Sequence, residues 1–369
     1  MILLNDFQRQ WEETSAAVLA AVAEVGASGW YVLGKQVGEC EQALANLWGR
    51  RHAVGLASGL DALEIALRVL GCRPGDHVLT TPLSAFASTL AILKIGAVPV
   101  FVDTDRCGHI DWDQCREVLG RRPEIRFLLP VHLYGNSLDL SALRALRTEF
   151  DLRVVEDCAQ AVLASWSGTR AGSVGQLAAT SFYPTKNLGA MGDGGAILTD
   201  DGEYDRLARV LRDYGQSAKY RHDEIGYNSR LDELQAAILH RAYLPALPRW
   251  TARRREIAAR YRAGICNQRV ECLPVLAESD SVHHLFPVLV EGKAEFISYM
   301  RSKGILCGEH YPVTIPDQPA MRQAHFEIEA PPEQARRITE CEVSLPIHPY
   351  LQDEEVACVI AACNQWSSH

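Results

Sequence analysis

Short β-branched runs alternate with helical patterns through the first 200 residues, and few folds accommodate that alternation. Apolar runs at 52–57, 77–81, 98–102, 125–131 and 152–156 read as buried strands. Helical spacing follows or separates them at 60–70, 84–95 and 139–149, after an opening helix at 6–25. The segment Cys72-Arg73-Pro74-Gly75-Asp76 reads as a turn. Strands separated by helices imply βαβ units and a largely parallel sheet. Two further strands are expected at 177–183 and 195–199, and long helices at 231–246 and 249–264. From about residue 265 the pattern changes to a strand candidate at 285–290, a helix, Pro-rich loops and a final helix near 352–364. A length of 369 residues favours roughly two domains. The expected architecture is therefore α/β. A large domain covers 1–248, with a helical arm at 1–50, and a smaller α+β domain covers 249–369.

Composition narrows the function by exclusion. A net charge of −9 argues against a protein that holds nucleic acid mainly by electrostatics. No apolar run approaches the ~18 residues that suggest a membrane span. The opening Met-Ile-Leu-Leu-Asn-Asp has no basic region ahead of an apolar one. The eleven cysteines are scattered, and no pair has the two-residue gap of a zinc or redox motif. Reduced thiols in a cytoplasmic protein are the expectation, with Cys40, Cys72, Cys158 and Cys341 in apolar contexts. His283 and His284 are adjacent, so on a strand they point to opposite faces, and no metal site is expected.

In open α/β sheets, ligands bind beyond the carboxyl ends of the strands. Three segments there carry chemistry. In Ala57-Ser58-Gly59-Leu60-Asp61-Ala62-Leu63, Gly59 allows close approach of a ligand, and the following helix N-terminus offers unpaired N–H groups to a phosphate. Asp61 is a candidate cap for that helix. In Val154-Val155-Glu156-Asp157-Cys158-Ala159-Gln160, a strand ends in acids, and Gln160 shares a face with Asp157 on a helical turn. A carboxylate there can keep a pyridine nitrogen protonated. The third segment runs from Ser181-Phe182-Tyr183-Pro184-Thr185-Lys186-Asn187-Leu188-Gly189 into Met191-Gly192-Asp193-Gly194-Gly195. A partly desolvated lysine between a strand and a glycine-rich turn has a lowered pKa and a nucleophilic amine.

A phosphate cradle, an acid for a ring nitrogen and a Schiff-base lysine are together the parts that bind pyridoxal 5′-phosphate. Their order resembles the fold-type I aminotransferases, and more narrowly the sugar aminotransferases of the DegT/DnrJ/EryC1/StrS family. The resemblance spans nearly the whole chain. It includes Ser28-Gly29-Trp30-Tyr31-Val32-Leu33-Gly34, Gly226-Tyr227-Asn228-Ser229-Arg230-Leu231-Asp232-Glu233-Leu234-Gln235-Ala236-Ala237 and Ser344-Leu345-Pro346-Ile347-His348-Pro349. It implies that Lys186 forms the internal aldimine, Asp157 pairs with the pyridine nitrogen and Gln160 meets the ring hydroxyl oxygen. It implies that Ser181 and the backbone at Gly59 and Leu60 hold the phosphate and that Phe86 stacks on the ring. Asn228 is implied to reach the phosphate of a neighbouring subunit in a homodimer with shared active sites. Arg230 is implied to hold the donor carboxylate, or else to form an interfacial ion pair. Tyr183 and Tyr311 are the implied substrate contacts. The sequence departs from the family pattern at Leu60, often Thr, at Phe86, often His or Tyr, and at Pro316, in a loop where relatives carry His.

The implied reaction is ping-pong transfer of an amino group from L-glutamate to a nucleotide-linked keto sugar. The Gly29-Trp30-Tyr31 and Asn187-Leu188-Gly189-Ala190 segments look most like members that aminate C3 of dTDP-3-keto-6-deoxyhexoses. Amination at C4, or of a cyclitol ketone, is the close alternative. Sugar dehydratases of this group carry His where Lys186 stands, and a non-catalytic protein on the same scaffold would be expected to lack Lys186 or Asp157.

Overall fold

The computed structural model describes residues 1–367. Its centre is an eight-stranded sheet. In spatial order the strands are His52–Leu56, Gly195–Thr199, Leu177–Ser181, Arg153–Asp157, Phe127–Leu129, His77–Thr80, Val98–Phe101 and Glu327–Ile328. All neighbours pair parallel except at Gly195–Thr199, which runs against both of its neighbours. The sheet is thus mostly parallel, as the strand–helix alternation requires.

Both faces are covered, and the strand residues divide between them with period two. Leu177, Ala179 and Ile197 join one buried cluster with Ile65 and Leu211. Ala178, Ala196 and Leu198 join another with Leu44, Trp48 and Leu239. Helix starts carry side-chain caps: Asp111, Asp139 and Asp201 each accept backbone N–H bonds from the first turn of the helix they precede.

Several expected elements change shape. The long helix expected at 231–246 is an α-helix, Glu233–Ile238, that widens into a π-helical turn at Leu239–Tyr243. There the N–H of Leu244 reaches the carbonyl of Leu239 at 2.8 Å. The strand expected at 177–183 ends at Ser181, and the next residue turns toward Gly194. Helices Trp112–Arg121, Gly202–Arg212 and Glu333–Cys341 lie outside the expected ones. The helical arm expected at 1–50 holds helices Phe7–Ser28 and Lys35–Trp48, and Cys40, Leu44 and Trp48 of the second are buried in the core.

Toward the C-terminus, a three-stranded antiparallel sheet joins Glu271–Cys272, Phe286–Leu289 and Glu342–Leu345. Its own buried cluster includes Phe286, Phe296, Val343 and Val359. Helix Leu247–Gly264 spans two cores: Leu247 and Trp250 pack with the large sheet, Ile257 and Tyr261 with the small one. The segment after 249 is not confined to this small layer, since Glu327–Ile328 returns to the edge of the large sheet. The start of the chain also docks there. Ile2 pairs with Ile305, and the Arg9 guanidinium grips the Glu355 carboxylate at 2.7 and 2.9 Å.

One buried acid next to the site is structural. Glu156 accepts the N–H groups of Gly172, Val174 and Gly175 and meets His132 Nε2 at 2.9 Å. Burial pushes its pKa up, but the His132 contact and the backbone donors outweigh that and hold it below the usual carboxylate range. Glu156→Ala strands these donors, and the expected loss is about 3–5 kcal/mol of stability. Urea unfolding measures it, and a variant within about 1 kcal/mol of the parent would contradict this account.

Candidate active site

Asp157 ends its strand at the carboxyl edge, beside the parallel strand Leu177–Ser181 that leads to the Lys186 loop. The carboxylate is almost wholly buried, at 4% exposure. Ser88 Oγ donates to Oδ2 at 2.8 Å, and the N–H of Ala159 donates to Oδ1 at 3.0 Å. Ser84 in turn meets Ser88 at 2.8 Å. A carboxylate has about four lone-pair positions, so Asp157 keeps room for a further donor.

Lys186 faces that acid. Burial lowers its pKa to about 8, against the opposing pull of the Asp157 charge. Its positive charge also reaches the buried imidazole of His284 and the half-buried one of His310, which desolvation and Lys186 together push down, His310 to about 4. The neighbouring Asn187 is anchored by the Val282 carbonyl at 3.0 Å and by His284 Nδ1 at 3.1 Å. His284, considered from the sequence only as a metal ligand and set aside, is thus a support of the lysine loop.

The phosphate cradle lies across the same edge. Ser58 caps the helix Gly59–Val69 by accepting the N–H of Asp61 at 3.1 Å, so Asp61 is not the cap. Asp61 instead accepts the hydroxyl of Ser229, which also accepts the N–H of Ala57. The N–H groups of Gly59 and Leu60 find no acceptor among the described residues. A Cβ on Gly59 would lie 2.5 Å from Cβ of Ser181, and one on Gly195 would lie 2.4 Å from the Ser58 backbone. These two glycines let the loop, the helix start and Ser181 approach one another closely, beside the open N–H groups that suit an anion.

Gln160 sits in the turn after Asp157. Its Oε1 accepts the N–H of Tyr134 at 2.7 Å, and its Nε2 donates to the Tyr311 hydroxyl at 3.1 Å. Tyr311 is raised by burial and by the Asp157 charge, so its hydroxyl stays neutral. Phe86 opens helix Phe86–Ile95, two residues before Ser88, and packs against Ile315 and Met321. Pro316 is buried in that same loop, which the N–H of Ile315 pins to the carbonyl of Pro82.

The structure therefore brings Asp157, Gln160, Lys186 and Tyr311 together, with Gly59, Leu60 and Ser181 at the adjoining cradle. Tyr183 is exposed at 53%. Asn228 and Arg230 lie in a loop fixed at the far side of the cradle. Arg230 pairs with Asp213 of its own chain at 2.7 Å and covers the Tyr214 ring, and it also donates to Asn228. Sequence reasoning missed Ser88, Tyr134, His284 and His310. Of these only Ser88 carried a local signal, standing two positions after the flagged Phe86. Among the described residues no cluster of His, Cys, Asp or Glu could hold a metal ion, and no helix is long and apolar enough to cross a membrane.

An amine this desolvated, opposite a strand-end carboxylate and beside open backbone donors, meets what pyridoxal 5′-phosphate demands of an aminotransferase. The model of the DegT/DnrJ/EryC1/StrS aminotransferase family matches residues 12–364, and the chain belongs to that family. Pyridoxal 5′-phosphate is its cofactor. The chain is 42% identical over 367 residues to the dTDP-3-amino-3,4,6-trideoxy-alpha-D-glucose transaminase of Streptomyces venezuelae, covering 98% of this chain and 95% of that one. It is 40% identical over 350 residues to the dTDP-3-amino-3,6-dideoxy-alpha-D-galactopyranose transaminase of Aneurinibacillus thermoaerophilus, covering 94% of each. The crystal structure of S. venezuelae DesV in complex with a ketimine intermediate superposes with a TM-score of 0.94 at 40% identity, covering 99% of this chain and 98% of that one.

In the cofactor-free protein, the Lys186 amine is expected to react with trinitrobenzenesulfonate with a midpoint near pH 8. Asp157 favours the charged amine, so Asp157→Asn is expected to move that midpoint lower. An unchanged midpoint would show that the two groups do not interact.

Proposed function

We propose that this aminotransferase moves the amino group of L-glutamate to the keto carbon of a nucleotide-linked deoxysugar, at C3 of a dTDP-3-keto-6-deoxyhexose. The observation that carries the chemistry is the Lys186 amine, held near its reactive pKa across from Asp157. The two transaminases named for dTDP-3-amino sugars, each covered over nine-tenths of its length, support the substrate class.

When bound, pyridoxal 5′-phosphate supplies an aldehyde that carries the amine and a cationic ring that accepts the electrons released at the donor Cα. Asp157 would hold the proton on the ring nitrogen, and Ser88 keeps that carboxylate aimed. Gln160 has one amide N–H left for the ring hydroxyl oxygen once Tyr311 has taken the other. Gly59, Leu60 and Ser181 hold the phosphate, and Phe86 covers the ring. With the cofactor bound, Lys186 Nζ would be the group that takes a proton from the donor Cα and gives it back during the transfer, poised for this by burial and by the Asp157 charge. The water that frees 2-oxoglutarate would be given back when the keto sugar condenses with the amino group left behind, and Lys186 would then move the proton in the opposite sense. Tyr183 and Tyr311 meet the substrates. In a homodimer with shared active sites, Asn228 reaches the phosphate of the other copy and Arg230 meets the donor carboxylate there. Arg230 must then exchange part of its Asp213 and Tyr214 contacts for that role.

General acid–base transfer by a positioned group contributes about 10²–10⁴-fold. Lys186→Ala is therefore expected to lose at least that factor in turnover, and multiple-turnover product at the parental rate would overturn the assignment. Mass analysis of products from glutamate with dTDP-3-keto and dTDP-4-keto sugars tests the position. Amination confined to the 4-keto sugar would refute the C3 reading.

A further inference from the structure

The segment Ser344–Pro349 matches the family pattern, and its first residue belongs to a hydrogen-bonded network that runs toward the active site. Strand Glu342–Leu345 starts with two fully buried polar side chains on the same face, Glu342 and Ser344. Alternation along a strand puts both on the side of the Gly308–Tyr311 segment. There Gly308 and Ser344 exchange backbone hydrogen bonds at 3.0 and 2.8 Å. The N–H of His310 donates to Glu342 Oε2 at 2.6 Å, and Ser344 Oγ donates to Glu342 Oε1 at 2.6 Å. Ser344 Oγ also meets His310 Nδ1 at 2.9 Å.

The far side of His310 belongs to the active site. Its carbonyl accepts the Tyr134 hydroxyl at 2.7 Å, and Tyr134 is the residue whose N–H holds Gln160. The imidazole feels the Lys186 charge. Nε2 makes no hydrogen bond among the described residues.

We infer that Glu342, acting through Ser344, sets which ring nitrogen of His310 carries the proton and so presents Nε2 to the Lys186 pocket as a hydrogen-bond acceptor. The logic follows from donor counting. The Ser344 hydroxyl has one proton. While Glu342 is a carboxylate, that proton goes to Oε1, so the contact with His310 must be made by Nδ1–H, and Nε2 is left with its lone pair. When the network takes up one proton, it enters at Nε2, the Nδ1 proton passes to Ser344 Oγ and the serine proton passes to Glu342. Nε2 is then a donor. Glu342 and Ser344 are positioning residues for this His310, and the inference rests on Lys186 being the reacting amine.

The switch falls in the working range. Burial raises the Glu342 pKa to about 7, opposed by Ser344, the His310 N–H and Lys293 and assisted by Glu309. The other titratable groups around Glu342 are Lys293, Glu309, Cys307, Tyr134 and Tyr311. Lys293 is tied to Glu309 at 2.8 Å and to the Thr339 carbonyl at 2.6 Å. Burial raises Cys307 to about 12 and lifts both tyrosines as well, so none of these three titrates near neutrality.

The test is the pH profile of kcat/KM for the holoenzyme, with glutamate and the keto sugar varied in turn, on the parent and on Glu342→Gln, Ser344→Ala and Ser344→Thr. In Glu342→Gln the amide N–H donates to Ser344, which then donates to Nδ1, so Nε2–H is locked at every pH. The parent is expected to rise by about tenfold, the worth of one hydrogen bond, as pH passes through 7. Glu342→Gln and Ser344→Ala are expected to lose that rise, and Ser344→Thr, which keeps the hydroxyl, to retain it. The inference is overturned if Glu342→Gln keeps the rise, or if Ser344→Thr loses it together with Ser344→Ala. The two serine variants, one losing the hydroxyl and one keeping it, carry the test should Glu342→Gln not fold. An activity-independent arm follows the trinitrobenzenesulfonate midpoint of Lys186 in the cofactor-free protein. A donor facing the amine disfavours its charged form, so Glu342→Gln is expected to lower that midpoint, and an unchanged midpoint counts against the inference. Failure of the transamination reading itself shows separately, as turnover that survives Lys186→Ala.

Discussion

A lysine amine removed from water is costly in its charged form, and that cost is the constraint around which the rest of this site is arranged. The amine of Lys186 is brought to about pH 8 by burial while the Asp157 charge pulls the other way. Neither group could hold this balance alone. Without the carboxylate the amine would titrate lower, and without burial it would titrate higher. The parallel pairing of Arg153–Asp157 with Leu177–Ser181 sets their separation, because it fixes where one strand stops and where the next one enters the lysine loop. The sheet thereby acts as the ruler for the chemistry.

Much of this was legible in the chain itself. Strand-ending acids, a lysine before a glycine-rich turn and a glycine at a helix start are local patterns, and local patterns survive without a fold to read them in. The mostly parallel sheet was legible too, because β-branched runs and helical spacing have different periods. What escaped notice was relational. Ser88 is an unremarkable serine until its helix lays it against a carboxylate sixty-nine positions later. His284 and His310 look like scattered imidazoles, and only the packing of the small sheet against the lysine loop places them around one amine. The π-helical turn at Leu239–Tyr243 and the return of Glu327–Ile328 to the large sheet carry no periodic signature, since each is set by what it packs against.

The loop of Asn228 and Arg230 shows how one segment can serve two ends. Ser229, between them, is fully buried and ties Ala57 and Asp61 together at the start of the cradle helix. Tyr227 adds a hydrogen bond to Glu64 one turn further along. The buried residues of this loop thus brace the cradle of their own chain while Asn228 stays on the surface. Alternating inward and outward residues on one short stretch couple the rigidity of one site to the presentation of side chains elsewhere.

The grip of Arg9 on Glu355 has a consequence for biogenesis. Residues 2 and 9 find their partners only after residues 305 and 355 have been made. At ordinary rates of synthesis that gap is roughly 15 to 70 s, during which these two contacts wait while later turns of helix Phe7–Ser28 can already pack on Ala237. The large sheet can assemble on the ribosome in that time, and this corner can close only once the segment and the helix that carry Ile305 and Glu355 are present.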